Sequence, residues 1–321
     1  MKSRARLWGL AGLCLMIACQ GACQQIDSPD GSAPQPTRTQ TEIAVQAPTV
    51  EASQQPTPTR TPTPSATPVV ILSPEPVEIL FQATDGQELS GVYFPADANP
   101  APVIVLMPWT EGNRDDWDEV ARWLQGRGLL TREPDYNDSW KSSDWFPERS
   151  LETPLGVFVF NFRSCEEQNG CTDYLPAEWL LDARAALEAA SRLEGVDPNR
   201  ILTAGASIGA DGAVGSCLWL NSTDAGTCLG SFALSPASLL TEDFRSSAAS
   251  LVSQKRTAPV YCLYGLRDDA SVETCSDFPE IRAVDYGYIE NHGLELLQPG
   301  QSPDPLELFQ EFIQEALGGA Q

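Results

Sequence analysis

From residue 77 onward the chain alternates short apolar runs of strand length with longer segments whose apolar residues recur every three to four positions. That alternation restricts the fold more than any other feature of the sequence. Residues 103–107 are apolar throughout, the pattern of a strand covered on both faces. Further strands are expected at 156–162, 200–204, 229–234, 259–264 and 281–286. Between them, Trp117, Val120, Ala121 and Leu124 stand at i, i+3, i+4 and i+7, with acidic residues in the first turn and Gly126 and Gly128 as stops. Helices are likewise expected at 176–193, 207–220 and 306–317. Two strands at 77–81 and 89–94 flank Asp85-Gly86, a hairpin turn signal. The expected architecture is α/β: an antiparallel N-terminal hairpin leading into a mostly parallel central sheet with helices on both faces.

The segment before residue 76 has a different character. Lys2, Arg4 and Arg6 precede an uncharged run at 7–18, which reads as a secretory signal peptide and is too short to span a membrane. The run ends in Met16-Ile17-Ala18-Cys19, which resembles the lipobox of bacterial lipoproteins. That resemblance implies cleavage after residue 18 and a lipid on Cys19, with the mature chain on the outer face of the cytoplasmic membrane or at the cell surface. Residues 19–75 have no hydrophobic periodicity, and 56–68 hold five Pro and five Thr, so this stretch reads as an extended linker. About 245 residues remain for one globular domain, 76–321.

Charge narrows the partners. Lys and Arg number 20 against 44 Asp and Glu, a net charge of −24. Such a surface repels phosphate backbones and anionic headgroups, which argues against nucleic-acid binding and leaves a covalent anchor or an apolar segment as the means of membrane attachment. Of nine cysteines, six lie within the domain, an even number that suits disulfides in an exported protein. Several connectivities are open to six cysteines; short loops favour Cys165–Cys171, Cys217–Cys228 and Cys262–Cys275. Metal binding is not expected, because the sequence has neither a CxxC pair nor a His-Cys cluster.

Chemistry concentrates at Gly205-Ala206-Ser207-Ile208-Gly209, a G-x-S-x-G motif between a strand-like and a helix-like segment. A sharp strand-to-helix turn presents a serine as a nucleophile and needs small neighbours. Together with Val196-Asp197-Pro198-Asn199-Arg200-Ile201 before it, this segment resembles the nucleophile elbow of α/β-hydrolases of the esterase and dienelactone hydrolase type. The resemblance extends over roughly 77–317. Dienelactone hydrolases proper carry Cys where Ser207 stands. His292, the only histidine, follows the last expected strand in Asn291-His292-Gly293 and is similar to the family's histidine loop. Gly265-Leu266-Arg267-Asp268 resembles the family's G-x-x-D segment, which makes Asp268 the acid and Asp269 the alternative.

The resemblance implies a Ser207-His292-Asp268 triad acting on a small ester through an acyl-enzyme, with no cofactor. Ile208 would supply one backbone oxyanion donor. Pro108 stands in the loop after the third strand and has no N–H, so Trp109 or Thr110 would supply the other. Another departure is Asn161-Phe162-Arg163-Ser164, where relatives show Asp-x-Arg-Gly. A serine peptidase of the same fold and an inactive surface binding module are the alternatives. The aromatic-rich stretch 131–154, with Tyr136, Trp140, Trp145 and Phe146, is long enough for a substrate lid.

Overall fold

The computed structural model describes residues 75–128, 145–165, 170–254 and 258–318. The expected signal segment, Cys19, the linker and the first part of the 131–154 stretch lie outside them. Two strands, β1 (Val77–Gln82) and β2 (Glu88–Phe94), pair antiparallel. They lead into β3 (Ala101–Met107), β4 (Gly156–Phe160), β5 (Val196–Ala206), β6 (Cys228–Leu234), β7 (Val260–Tyr264) and β8 (Arg282–Asp285). The order across the sheet is β1-β2-β4-β3-β5-β6-β7-β8, with β4 through β8 parallel and the hairpin joined antiparallel at β4.

Among the described residues six α-helices cover the sheet: α1 (Asp118–Leu124), α2 (Pro176–Ser191), α3 (Ile208–Leu220), α4 (Phe244–Val252), α5 (Asp269–Cys275) and α6 (Pro305–Gly318). Successive strand residues point to opposite faces. In β3, Val103, Val105 and Met107 join a core with α2, α3 and α4, whereas Ile104 and Leu106 join one with α1 and α6. This two-sided burial is why the strand reads as an unbroken apolar run. The helices α4 and α5 fall where the sequence suggested none.

Among the described residues three disulfides fasten local segments: Cys165–Cys171 beyond β4, Cys217–Cys228 from α3 to β6, and Cys262–Cys275 from β7 to α5. The described end of the 131–154 stretch is a strap bound to the core. Phe146 packs against Trp123 with ring centroids 5.8 Å apart, and the Trp123 indole N–H donates to Pro147 O at 2.8 Å. Arg149 donates to Leu124 O, and Gln310 of α6 accepts the Ser150 N–H. Trp145 is buried as well. Both aromatics thus serve core packing, and the lid expectation does not extend to this end of the stretch. Tyr136 and Trp140 lie outside the described residues.

The Asn161-Phe162-Arg163-Ser164 segment has a structural role. Asn161 accepts the Arg114 N–H at 2.7 Å and so steadies the loop after β3. Arg163 donates to Asp182 of α2 at 2.6 and 2.9 Å, and to Asp85 of the hairpin turn at 2.6 Å. Asp182 is fully buried. Arg163→Met leaves that carboxylate without its cation and is expected to cost about 3–5 kcal/mol, because an unpaired buried charge is far more costly than the pair itself is favourable. Chemical denaturation measures it; a loss under about 1 kcal/mol would mean that Asp182 needs no cation.

Candidate active site

Ser207 lies between the end of β5 and the start of α3, with φ 53° and ψ −119°. A left-handed φ is strained for a residue with a Cβ, and such strain gathers at functional turns. The flanking glycines are sterically required. A Cβ on Gly205 would strike the Gly209 carbonyl, and one on Gly209 would strike the carbonyls of Met107 and Pro108. The G-x-S-x-G pattern therefore records how closely α3 crosses the ends of β5 and β3. Ser207 is almost fully buried, and its N–H donates to Leu234 O at 2.8 Å.

Asp268 follows β7 as the N-cap of α5, and His292 stands before a 3-10 turn at Gly293–Leu297. The structure brings them together: His292 Nδ1 and Asp268 Oδ2 are 2.7 Å apart. The same carboxylate oxygen accepts the Ser271 hydroxyl at 2.6 Å, and Oδ1 accepts the Ser271 N–H. Burial pushes the Asp268 carboxyl up, but the hydrogen bonds from His292 and Ser271 outweigh it and hold the group below its ordinary range. The bond to Asp268 in turn raises His292 above the ordinary imidazole value against the opposing effect of burial, with the charges of Glu111 and Glu295 adding to the rise. Asp269, the alternative acid, is exposed at the start of α5.

The histidine loop reaches the serine turn through Gly293. A Cβ there would lie 3.5 Å from Ala206 Cβ and 2.7 Å from the Trp109 ring, so the loop rests on the residue preceding Ser207. The His292 N–H donates to the Glu295 carboxylate at 3.2 Å, which fixes the loop from within. Trp109 is buried beneath it, with its indole N–H donating to Asp116 at 3.0 Å. Thr110 comes next, and its carbonyl accepts the Cys171 N–H at 2.9 Å. Ile208 opens α3, so its N–H has no acceptor inside the helix and lies at the positive end of the helix dipole.

Three contributors went unread in the sequence. Ser271 positions Asp268, and Asp268-x-x-Ser271 is an N-cap spacing that could have exposed it. Glu295 holds the His292 backbone. Asp211, one turn after Ser207, is buried and accepts backbone N–H groups from Ala237, Ser238 and Leu239. Burial drives its carboxyl up to about 7 despite these donors. Among the described residues no cluster of three or more His, Cys, Asp or Glu could hold a metal ion.

No family model matches the chain, and no curated protein matches it. Solved structures do share its fold. The alpha/beta hydrolase GrgF from a Penicillium species superposes with a TM-score of 0.50 at 10% identity, covering 76% of this chain and 99% of that one. A hyperthermophilic esterase from the archaeon Pyrobaculum calidifontis gives 0.50 at 14%, covering 77% and 84%. The esterase Est22, solved with p-nitrophenol, gives 0.50 at 13%, covering 76% and 81%. The chain has the α/β-hydrolase fold.

Proposed function

We propose that this protein hydrolyses carboxylic esters with Ser207 as nucleophile, His292 as general base and Asp268 as the acid that orients it. The observation that carries the reading is the hydrogen bond between Asp268 and the chain's one histidine, made in a loop that rests on the residue before a strained serine. His292 Nε2 accepts the Ser207 proton as the oxygen attacks the acyl carbon. The same proton then goes to the departing alkoxide, which leaves as the alcohol. Water repeats the sequence on the acyl-enzyme and releases the acid. Asp268 holds the tautomer with Nδ1 protonated and stabilises the imidazolium that forms. Ile208 N–H and the N–H of Trp109 or Thr110 receive the oxyanion. No metal or organic cofactor enters the scheme.

An ester is preferred over a peptide as substrate because its leaving group is the better one, and Pro108 removes one donor from the loop after β3. The leader and Cys19 extend the reading to an exported enzyme held at the membrane surface by a lipid. An exported chain whose Cys19 peptide carries no acyl group would refute that part.

A fluorophosphonate probe tests the core of the proposal, since it labels only an activated serine. Labelling at Ser207 is expected to fall on acidification, beginning above the ordinary imidazole midpoint of about 6.5, because a raised His292 is protonated there and a protonated base accepts nothing. A folded chain that stays unlabelled from pH 6 to 9 would instead be a binding module without hydrolytic activity.

A further inference from the structure

In the sheet β3 and β6 flank β5, so the loops that follow them stand on either side of the Ser207 turn. The first carries Thr110 and the second Leu239. Both line a cleft of about 500 Å³, with Trp179 of α2 and the segment from Cys171 to Tyr174 forming the rest of its surface. Successive hydrogen bonds fasten its walls. Gly170 lies so close on the Thr110 carbonyl that a Cβ would collide with it, and the Cys171 N–H donates to that oxygen. The Cys165–Cys171 disulfide closes this wall. The Tyr174 hydroxyl donates to Leu239 O at 2.7 Å, and the Leu239 N–H donates to Asp211 at 2.6 Å, in the helix that Ser207 begins. Ser235 and Ser238, with φ 50° and 52°, are strained positions in the loop that Asp211 holds.

The lining sets the Tyr174 ring, the Leu239 isobutyl group and the Cys171 sulfur beside Thr110 and Thr172 and over the buried Trp179 indole, and its one charged member is the acidic Asp173. No cation of that lining could pair with a carboxylate or phosphate, and the chain's net charge of −24 opposes either.

We propose that this cleft is the subsite for an uncharged hydrocarbon arm of the ester, so that the enzyme takes neutral esters with an extended apolar chain and turns away carboxylate-bearing ones. This deepens the hydrolase reading and rests on it.

The experiment measures kcat/KM for two neutral series, nitrophenyl acetate to octanoate and methyl to octyl acetate, and for carboxylate-ended esters of matched length. Leu239→Trp fills the cleft from one wall; Thr172→Trp, at an exposed position, fills it from the other without touching the core. In one of the two series the long-to-short ratio is expected to fall about tenfold or more, through KM, and the series that responds identifies the acyl or the alcohol arm. Wild-type enzyme should also hydrolyse the carboxylate-ended ester about tenfold more slowly than its neutral counterpart, the gap narrowing with salt. Unchanged ratios in both variants, or equal rates for the charged and neutral esters, overturn the subsite while labelling and hydrolysis by the wild type leave the triad reading intact. A wild type that neither labels nor hydrolyses any ester overturns both.

Discussion

Replacing Ser207 by Ala is expected to lower ester hydrolysis by about 10⁴-fold to 10⁶-fold and to abolish fluorophosphonate labelling, while stability stays within about 1 kcal/mol of wild type. The rate loss is large because His292 and Asp268 have nothing to activate once the hydroxyl is gone. Stability holds because the substitution keeps the Cβ, and with it both the left-handed φ of 53° and the fit between Gly205 and Gly209. Ser207 N–H still donates to Leu234 O, since that bond belongs to the backbone. Parallel assays of turnover and thermal unfolding separate the two effects. Turnover within tenfold of wild type would move the nucleophile elsewhere.

Asp268→Asn is expected to lower kcat by about 10³-fold to 10⁴-fold, against less than about threefold for Asp269→Asn. Asn keeps the shape of the side chain and can still cap α5, so the fold is preserved. Two things change at His292. An amide can turn its NH₂ toward Nδ1, which favours the tautomer with its proton on Nε2, where the nucleophile's proton must go. The carboxylate that raised the imidazole is also lost. The sign follows directly: the base must be neutral to act, wild type loses activity as pH falls through a raised value, and in Asp268→Asn that acid limb moves to lower pH. A pH profile of kcat/KM for both variants distinguishes this from a merely structural defect, which would lower the rate without moving the limb. Equal losses for Asp268→Asn and Asp269→Asn would remove Asp268 from the mechanism.

Much of this was legible because burial on two faces leaves a local imprint. The strands β3 and β7 read as apolar runs since both of their faces are covered, and the hairpin announced itself through Asp85-Gly86. The helix α4 escaped because Phe244, Ala248 and Leu251 are set among serines that dilute its periodicity. The helix α5 escaped because seven residues supply too few inward positions to show a period. At 131–154 an aromatic-rich stretch without a repeat resembled a lid. Phe146 instead packs on Trp123 of α1 and Trp145 is buried, a distinction that depends on which surface lies underneath them.

The sequence by itself determined the strand-turn-helix around Ser207 and a single histidine located after the last strand, and it favoured, without deciding, the cysteine pairs that the structure forms. Each is a property of neighbours along the chain, where backbone sterics and loop length act directly. Only the tertiary structure decided that Asp268 rather than Asp269 meets His292, that Asp211 holds the loop after β6, and that Thr110 and Leu239 face one cleft. Those pairings join residues up to about 130 positions apart, and they arise from the order of strands in the sheet, which brings the ends of β3, β5, β6 and β7 side by side whatever their separation in sequence.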